Sequence, residues 1–256
     1  MSRHSSHPGL PHPGPSRPGS LVDFAFATLR GEIIRGELEA GTPLRLREHA
    51  ARIGISPIPM REAMQRLENA GLVARTLHHG VEVTELSIED MEDTYRVRIA
   101  LEVLAIREAA ANFNEEDDRL TSAWCDEYAR VSELGDTDAV REAHSAFHLA
   151  LYRPAESPWL QRLIPQLSAN AERYRLLALQ EFGTVEKRVR EHRQLLDVCR
   201  TRRPDAAEQA LRRHFERTQR AIRKRLIAIQ EGSDTPAEAG TEAPAEAGPT
   251  NADAAR

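Results

Sequence analysis

Apolar residues recur along this chain with helical spacing, and alternation of apolar and polar residues is rare. The first patterned stretch has apolar positions four, three and four residues apart, at Val22, Phe26, Leu29 and Ile33, which predicts an amphipathic helix. The stretch EAGTPL interrupts it, because glycine and proline break helical patterns. The stretch LREHAARIG then predicts a short second helix that ends at Gly54.

A third helix is predicted for SPIPMREAMQRLENAG, beginning at Ser56. Ser56 is a favourable N-cap residue, whose hydroxyl can accept a hydrogen bond from an early backbone N–H. The two prolines that follow fall in the first turn, where no helical hydrogen bond needs their missing N–H. The outer face presents Ile58, Arg61 and Gln65. The face expected to pack on a core carries Met60, Ala63, Met64 and Leu67.

The rest of the pattern predicts one pair of strands and then helices. The stretch ARTLHHGVEVTEL alternates apolar and polar residues after a turn at Gly80, which predicts a two-stranded hairpin, or wing. The stretch SIED, at Ser87, has the form of a capping box and predicts a helix start. From there to about residue 230 we expect about six helices. The breaks between them are predicted near Phe113, Gly135, Pro154, Gly183 and Pro204.

These elements predict a mostly α protein in two parts. An N-terminal winged helix-turn-helix is expected over residues 21–86 and a C-terminal all-helical bundle over residues 87–231. Residues 1–20 hold five prolines and three glycines, and residues 232–256 repeat the sequence PAEAG in an acidic context. Neither composition can build a core, so both segments are predicted to be disordered tails.

Composition and charge narrow the classes of protein. The formal net charge of −5 excludes a uniformly basic protein that coats nucleic acid, but it allows a local DNA-reading face. The two cysteines form no CxxC pattern, which disfavours disulfides and a cysteine zinc site. No apolar run approaches the roughly 18–20 residues of a membrane span, and the N-terminus lacks a signal-peptide core. We therefore expect a cytoplasmic protein without a membrane partner.

The predicted helix-turn-helix has one residue suited to reading a base. The second helix of such a motif can lie in the major groove with its N-terminal residues at the base edges, and an arginine there can bind guanine. Arg61 is the outward basic residue at that end. Residues 45–66 carry five arginines and two glutamates, yet residues 21–86 carry eight arginines and nine acids. DNA reading therefore depends on geometry rather than bulk charge, and the alternative is an ordinary helical hairpin with solvated arginines.

The same region resembles the winged-helix domain of GntR-family transcription regulators. The resemblance lies in GELEAGTPL, in GISPIPMREAMQRLENAGLV and in the glycine of the wing. It implies binding to double-stranded operator DNA. In that family the positions of Arg47, Pro57, Arg61 and the wing residue His79 commonly meet DNA. Together with their neighbours, the predicted DNA-binding residues are Arg45, Arg47, Ser56, Pro57, Ile58, Arg61, Gln65 and His79.

This chain departs from the family pattern at the start of the recognition helix. The family usually has arginine at the position of Pro57 and threonine at the position of Ile58, so two polar contacts are absent. Apolar groups at these places suit thymine methyls better than guanine. His49 also replaces an expected apolar residue. The wing-tip pair His78 and His79 has a simpler alternative, namely two exposed histidines that contact only solvent.

The predicted bundle contains four histidines with a spacing that could bind metal. His144 and His148 are four residues apart and share one helix face, while His192 and His214 belong to two other helices. Imidazole suits zinc, nickel, copper or iron, and facing helices of a bundle are a common place for such ions. The alternative is four unrelated histidines, some of them exposed.

The bundle region resembles the FCD ligand-binding domain of the FadR subfamily, in SIEDMEDTYRVRIALEVLAIREAAA, HSAFHLAL, EHRQLL and LRRHFER. Many members bind a metal through Asp-x-x-x-His and two later histidines. His148, His192 and His214 match the three histidines, whereas His144 stands where aspartate is usual. The resemblance therefore implies a divalent metal, and the missing carboxylate favours zinc, with nickel as an alternative. It also implies a small carboxylate effector beside the metal.

Arg98 matches an arginine that often faces the effector pocket in such domains, and an arginine fork suits a carboxylate. Tyr95, Asn170 and Arg173 are weaker candidates for the effector site, because each could be an ordinary packing or surface residue.

The sequence disfavours two other functions. A metal-dependent enzyme on the bundle is disfavoured because Ser145, rather than a glutamate, follows the first histidine, and no nucleophile or phosphate-binding motif is present. An architectural DNA-binding protein without an effector is disfavoured, because the helical bundle over residues 87–231 is larger than docking onto DNA requires. We expect a homodimeric repressor that a small carboxylate releases from operator DNA.

Overall fold

The computed structural model of the protein describes residues 20–76 and 80–232. Within these residues it contains nine α-helices and one pair of strands, so the predicted mostly α fold is confirmed. The wing-tip residues His78 and His79 lie outside the described residues, as do residues 1–19 and 233–256. The two disordered tails therefore stay predictions. No helix in the described part of the chain is long and apolar enough to cross a membrane.

The N-terminal part consists of three helices and the wing. Its elements are α1 (Leu21–Ile34), α2 (Leu46–Ile53), α3 (Pro57–Asn69), β1 (Val73–Thr76) and β2 (Gly80–Val83). The strands are antiparallel, with Val73 opposite Val83. Gly54 ends α2 in the left-handed conformation, at φ 79°, which turns the chain into α3. This arrangement is the predicted helix-turn-helix with a wing.

One buried cluster holds these elements together. Leu29 of α1 and Met60 and Leu67 of α3 are fully buried, and Leu72 and Val83 join them from the wing side. The predicted inner face of α3 is therefore the face that packs. Truncating a leucine in such a core costs about 2–5 kcal/mol of stability.

Ser56 occupies the N-cap position of α3, but its side chain makes no capping hydrogen bond. An N-cap hydroxyl normally accepts from the second or third helical N–H. Pro59 occupies the third position and has no N–H to donate, so one of the two donors is missing. The prolines set the backbone of the first turn instead, and the exposed Ser56 hydroxyl is left without a partner inside the helix.

The C-terminal part is a bundle of six helices, and its breaks fall where the sequence predicts them. Two short 3-10 helices lie at 153–155 and 179–182. Helix α4 packs along α9 and α7, and α5 packs along α6 and α8. The bundle core includes fully buried Tyr128, Phe147 and Tyr174. The six helices are α4 (Ile88–Asn112), α5 (Glu115–Leu134), α6 (Thr137–Tyr152), α7 (Pro158–Leu177), α8 (Val185–Arg200) and α9 (Pro204–Gln230).

Helix α7 also contacts the segment that joins the wing to the bundle. Arg173 donates a hydrogen bond to the carbonyl oxygen of Thr84. The Tyr174 hydroxyl donates to Asp90 at 2.6 Å and accepts from the Ser87 N–H at 3.3 Å. One face of α7 is therefore used to hold the connecting segment.

Candidate functional site

The structure brings the four predicted histidines together in the middle of the bundle. Helix α6 supplies His144 and His148, α8 supplies His192 and α9 supplies His214. One nitrogen from each of His144, His148 and His192 lies within 4.8 Å of the other two. The His214 ring centroid is 5.2 Å from that of His192 and 5.5 Å from that of His148. The four side chains therefore form one cluster rather than unrelated positions.

The hydrogen bonds of these rings leave nitrogen lone pairs free. Nδ1 of His192 lies 2.7 Å from the carbonyl oxygen of Arg188, so this nitrogen carries the proton and donates it. Nε2 of His192 and Nδ1 of His214 are buried and have no hydrogen-bond partner among the described residues. A buried nitrogen without a partner is unfavourable unless something outside the chain binds it. This donor set fits a divalent metal that prefers imidazole.

A buried chain of polar groups continues from His148 to Arg98. Nδ1 of His148 lies 3.3 Å from the Tyr152 hydroxyl, which donates to Oε2 of Glu102 at 2.9 Å. Oε1 of Glu102 accepts from Nε of Arg98 at 2.7 Å. Glu102 is 1% exposed, so its charge depends on these partners. These hydrogen bonds direct the Nδ1 proton of His148 toward Tyr152 and leave the lone pair of Nε2 available.

Burial keeps the four imidazoles neutral. Burial in the bundle is the main cause that lowers the pKa of each ring, and it lowers the pKa of His192 from 6.5 to about 4. Neighbouring histidines and Arg175 act in the same direction, because each would repel a new positive charge. The rings are therefore held in the unprotonated state that metal binding requires.

The histidines line the inner end of a cavity of about 350 Å³. The predicted effector residues Tyr95 and Arg98 line the same cavity. Arg98 lies 5.0 Å from the ring centroids of Tyr95 and Phe215, which hold its guanidinium in place. A small organic acid that enters this cavity would meet Arg98 and the histidines at its inner end.

The other two predicted effector residues lie elsewhere. Asn170 bonds the Thr94 hydroxyl and Arg173 bonds the connecting segment, and neither lines the cavity. The arginine of α7 that does line it is Arg175, which is two residues from Arg173 and therefore on another side of the helix. Arg175 is paired with Glu172, at 2.9 Å from its Nε.

Glu102 and Tyr152 were not predicted from the sequence either. Glu102 follows Arg98 by four residues, a spacing that could have indicated the ion pair. Tyr152 follows His148 by the same interval, but nothing in the sequence showed that it reaches Glu102.

The predicted DNA-reading residues that the structure describes are all exposed and lie in α2, in α3 or directly before one of these helices, whereas His79 lies outside the described residues. Arg47 and Arg61 are exposed and make no ion pair with a described residue. Ile58 is 70% exposed although it is apolar. Gln65 is tied to its own helix by bonds to Glu68 and Asn69. The predicted set also includes exposed Arg45, which pairs with Glu48 at 3.1 Å, and exposed Ser56 and Pro57.

The arginines of this region differ in whether they form an ion pair. Arg52 forms two hydrogen bonds with Glu32, and Arg66 pairs with Asp23 at 2.6 Å. These two arginines are neutralised inside the N-terminal part, whereas Arg47 and Arg61 remain available to an external anion. Selective pairing therefore leaves a local basic face on a domain that is nearly neutral as a whole.

Comparison with known proteins identifies both parts of the chain. Residues 21–83 match the bacterial regulatory proteins of the gntR family, and residues 93–217 match the FCD domain. The chain is 32% identical over 215 residues to the uncharacterized HTH-type transcriptional regulator BphR of Paraburkholderia xenovorans (strain LB400), covering 80% of this chain and 86% of that protein. The chain belongs to the GntR family of transcription regulators.

Two further similarities agree with this assignment. The probable D-xylose utilization operon transcriptional repressor of Paenarthrobacter nicotinovorans is 31% identical over 183 residues, which cover 72% of this chain and 80% of that protein. The structure of E. coli McbR/YncC superposes with a TM-score of 0.67 at 20% identity, covering 84% of this chain and 99% of that one, and supports the fold. The GntR protein described here is therefore a DNA-binding transcription regulator and not an enzyme.

Proposed function

We propose that this GntR protein is a metal-dependent repressor that a small carboxylate releases from its operator. One observation carries the proposal: four histidines and Arg98 meet at the inner end of a single cavity in the bundle. The histidines supply neutral nitrogen ligands, and the arginine supplies a fixed positive charge. The histidines would hold a metal ion, so that the ion and Arg98 could bind the two oxygens of one carboxylate side by side.

The proposed metal ligands are His144, His148, His192 and His214. The free nitrogens of His192 and His214 and the Tyr152 contact of His148 support this set. All four ligands are neutral, which favours zinc or nickel over ions that prefer oxygen. When bound, the ion would supply a Lewis-acid position for an oxygen of the effector.

The proposed effector carboxylate binds Arg98. Glu102 uses only Nε of that guanidinium, so both terminal nitrogens remain for a ligand. The apolar rings of Tyr95 and Phe215 exclude water on one side and strengthen the ion pair.

On the DNA side, we propose that Arg47 and Arg61 read or anchor the operator and that Ile58 and Pro57 contact apolar base edges. Arg45, Ser56 and Gln65 would flank them, and His79 would reach DNA from the wing. The protein would act as a homodimer, so that two α3 helices meet half-sites about one helical turn apart. The same proposal includes assignment to the FadR subfamily, a domain boundary near Leu86 and a cytoplasmic location. The name of the Paenarthrobacter relative supports repression.

The effector must favour one arrangement of the regulator over another in order to change its DNA affinity. The experiment is to select a binding site from random duplex DNA and then titrate the bound complex with small carboxylic acids, before and after removal of metal by a chelator. We expect one class of acid to release the DNA only when metal is present. A complex that ignores every acid in both metal states contradicts the proposal.

A further inference from the structure

The cavity continues from the histidines toward an outer end formed by α8 and α9. These helices are consecutive, joined by three residues, and packed together as an antiparallel hairpin. Arg188 precedes His192 by one turn of α8, and Arg220 follows His214 on α9. Because the helices run in opposite directions, both arginines lie on the same side of the histidine cluster, and both line the cavity.

The outer end is rich in positive charge. Its described lining includes two carboxylates, Glu181 and Glu191, and each already has a partner. Glu181 pairs with Lys224 at 2.7 Å, and Glu191 pairs with Arg217 at 3.4 Å. The remaining cationic side chains at this end are Lys187, Arg188 and Arg220.

These three cations make no ion pair with a described residue. Arg188 donates from Nη1 to the Gly183 carbonyl oxygen at 2.8 Å, but its Nε is buried without a hydrogen-bond partner. A buried guanidinium N–H without an acceptor is unfavourable, and an anion in the cavity would supply the acceptor. The inner end already has Arg98 for one carboxylate, so the unpaired outer cations are available to a second anionic group.

We propose that the effector is a dianion, with one carboxylate at Arg98 and the histidines and a second anionic group at Arg188 and Arg220. This inference rests on the proposed function and specifies its ligand. Helix geometry also suggests the length of the ligand. Arg188 is offset by four positions from His192 and Arg220 by six from His214, which corresponds to about 6–9 Å along the helix axes at 1.5 Å per residue. We therefore expect a chain between the two anionic groups and weaker binding of neighbouring carboxylates as in malonate.

The experiment measures binding to the full-length, zinc-loaded protein by calorimetry with two matched pairs of probes. Hexanoate and adipate share a carbon chain but carry one and two carboxylates. Gluconate and 6-phosphogluconate differ by a terminal phosphate. We expect the member with two anionic groups in at least one pair to bind about tenfold tighter than its monoanion, the usual effect of one added charge-assisted contact. The pair that shows the difference distinguishes a second carboxylate from a phosphate, and malonate is expected to bind more weakly than adipate.

Substitutions test whether the preference for the dianion arises at the outer end of the cavity. The double variant Arg188→Gln and Arg220→Ala is expected to bind dianion and monoanion with nearly equal affinity. The matched control is Arg190→Ala with Arg213→Ala, on the same two helices, where both residues are exposed and outside the cavity lining. It is expected to keep the preference. Unfolding midpoints of both variants show whether they are folded.

The outcomes separate this inference from the function on which it rests. If monoanion and dianion bind equally well to the wild-type protein, the second anionic group is overturned while a carboxylate sensor remains. If the dianion preference survives in the double variant, the assignment to Arg188 and Arg220 is overturned. If none of the acids binds the zinc-loaded protein, the proposed carboxylate site fails, and the dianion fails with it.

Discussion

The hydroxyl oxygen of Tyr152 lies 3.3 Å from Nδ1 of His148. Because that hydroxyl donates its own proton to Glu102, it can only accept from the imidazole. Tyr152 thus selects the tautomer in which Nε2 of His148 carries the lone pair. Loss of a residue that hydrogen-bonds a metal ligand typically weakens metal affinity by about 10–100-fold. We expect Tyr152→Phe to weaken zinc binding by about that factor, measured by competition with a chelating dye.

A second buried tyrosine provides the control for that experiment. Tyr128 packs with its ring centroid 4.8 Å from that of His192, but no hydrogen bond joins it to an imidazole nitrogen. Tyr128→Phe is therefore expected to keep the wild-type zinc affinity. Equal losses in the two variants would show that packing, rather than the hydrogen bond to His148, governs affinity.

His144 is the residue that separates this site from the usual ligand set of the FCD domains it resembles. Substituting a carboxylate for this imidazole adds a charged oxygen ligand, which hard ions prefer. We expect His144→Asp to raise the affinity for Mn²⁺ relative to Zn²⁺, while His144→Ala weakens both. Competition titrations with the two ions measure the ratio. An unchanged ratio in His144→Asp would remove His144 from the proposed ligand set.

The buried histidines also predict how stability depends on pH in the metal-free protein. Burial lowers the pKa of His192 from 6.5 to about 4, so the folded state disfavours the protonated ring. The stabilising contribution is present above pH 6.5 and is lost as the pH falls toward 4. At about pH 5 the loss from His192 alone is about 2 kcal/mol, and the other three rings act in the same direction.

Urea unfolding of the metal-free protein at about pH 7.5 and about pH 5 measures this effect. His192→Gln has no ring to titrate and should lose correspondingly less stability between the two conditions. If the wild-type protein and this variant lose the same free energy of unfolding, then His192 is not held neutral by the fold.

The winged helix-turn-helix could be predicted from the sequence because local pattern determines it. The apolar spacing of α3 fixed its inner face, and Gly54 marked the turn before it. The candidate site could be predicted only in part. A change of two residues along α7 selects another face of the helix, so the sequence indicated Arg173 where the structure places Arg175. Glu102 meets Tyr152 across fifty residues of chain through packing that no local spacing reveals.

The exposed start of α3 predicts an altered operator preference. Arg61 is available for a base, and its replacement by alanine should cost about 1–3 kcal/mol in binding and relax the preference at one base pair. Ile58→Thr should shift the base that is preferred at the neighbouring position, because a hydroxyl replaces an apolar contact. Site selection from random duplexes with each variant measures both effects.

Arg66→Ala is the control for that selection. Arg66 lies on the same helix and is exposed, but it is paired with Asp23. This variant should keep the wild-type binding site. If Arg61→Ala also selected the unchanged site with unchanged stringency, Arg61 would not be a base-reading residue.

Arg98 has a structural role and a proposed effector-binding role, and one substitution cannot separate them. Its ion pair with Glu102 is buried, so Arg98→Ala leaves an uncompensated charge and should cost about 3–5 kcal/mol of stability. A lost effector response in that variant could therefore arise from a weakened fold.

Adding Glu102→Gln removes the charge and keeps a side chain that can accept from Tyr152. We expect the double variant to regain most of the lost stability in urea unfolding and to bind operator DNA normally. It should still fail to release DNA when carboxylate is added, because the guanidinium that is proposed to bind the ligand is gone. A double variant that is stable and responds to carboxylate like the wild-type protein would show that Arg98 serves the fold alone.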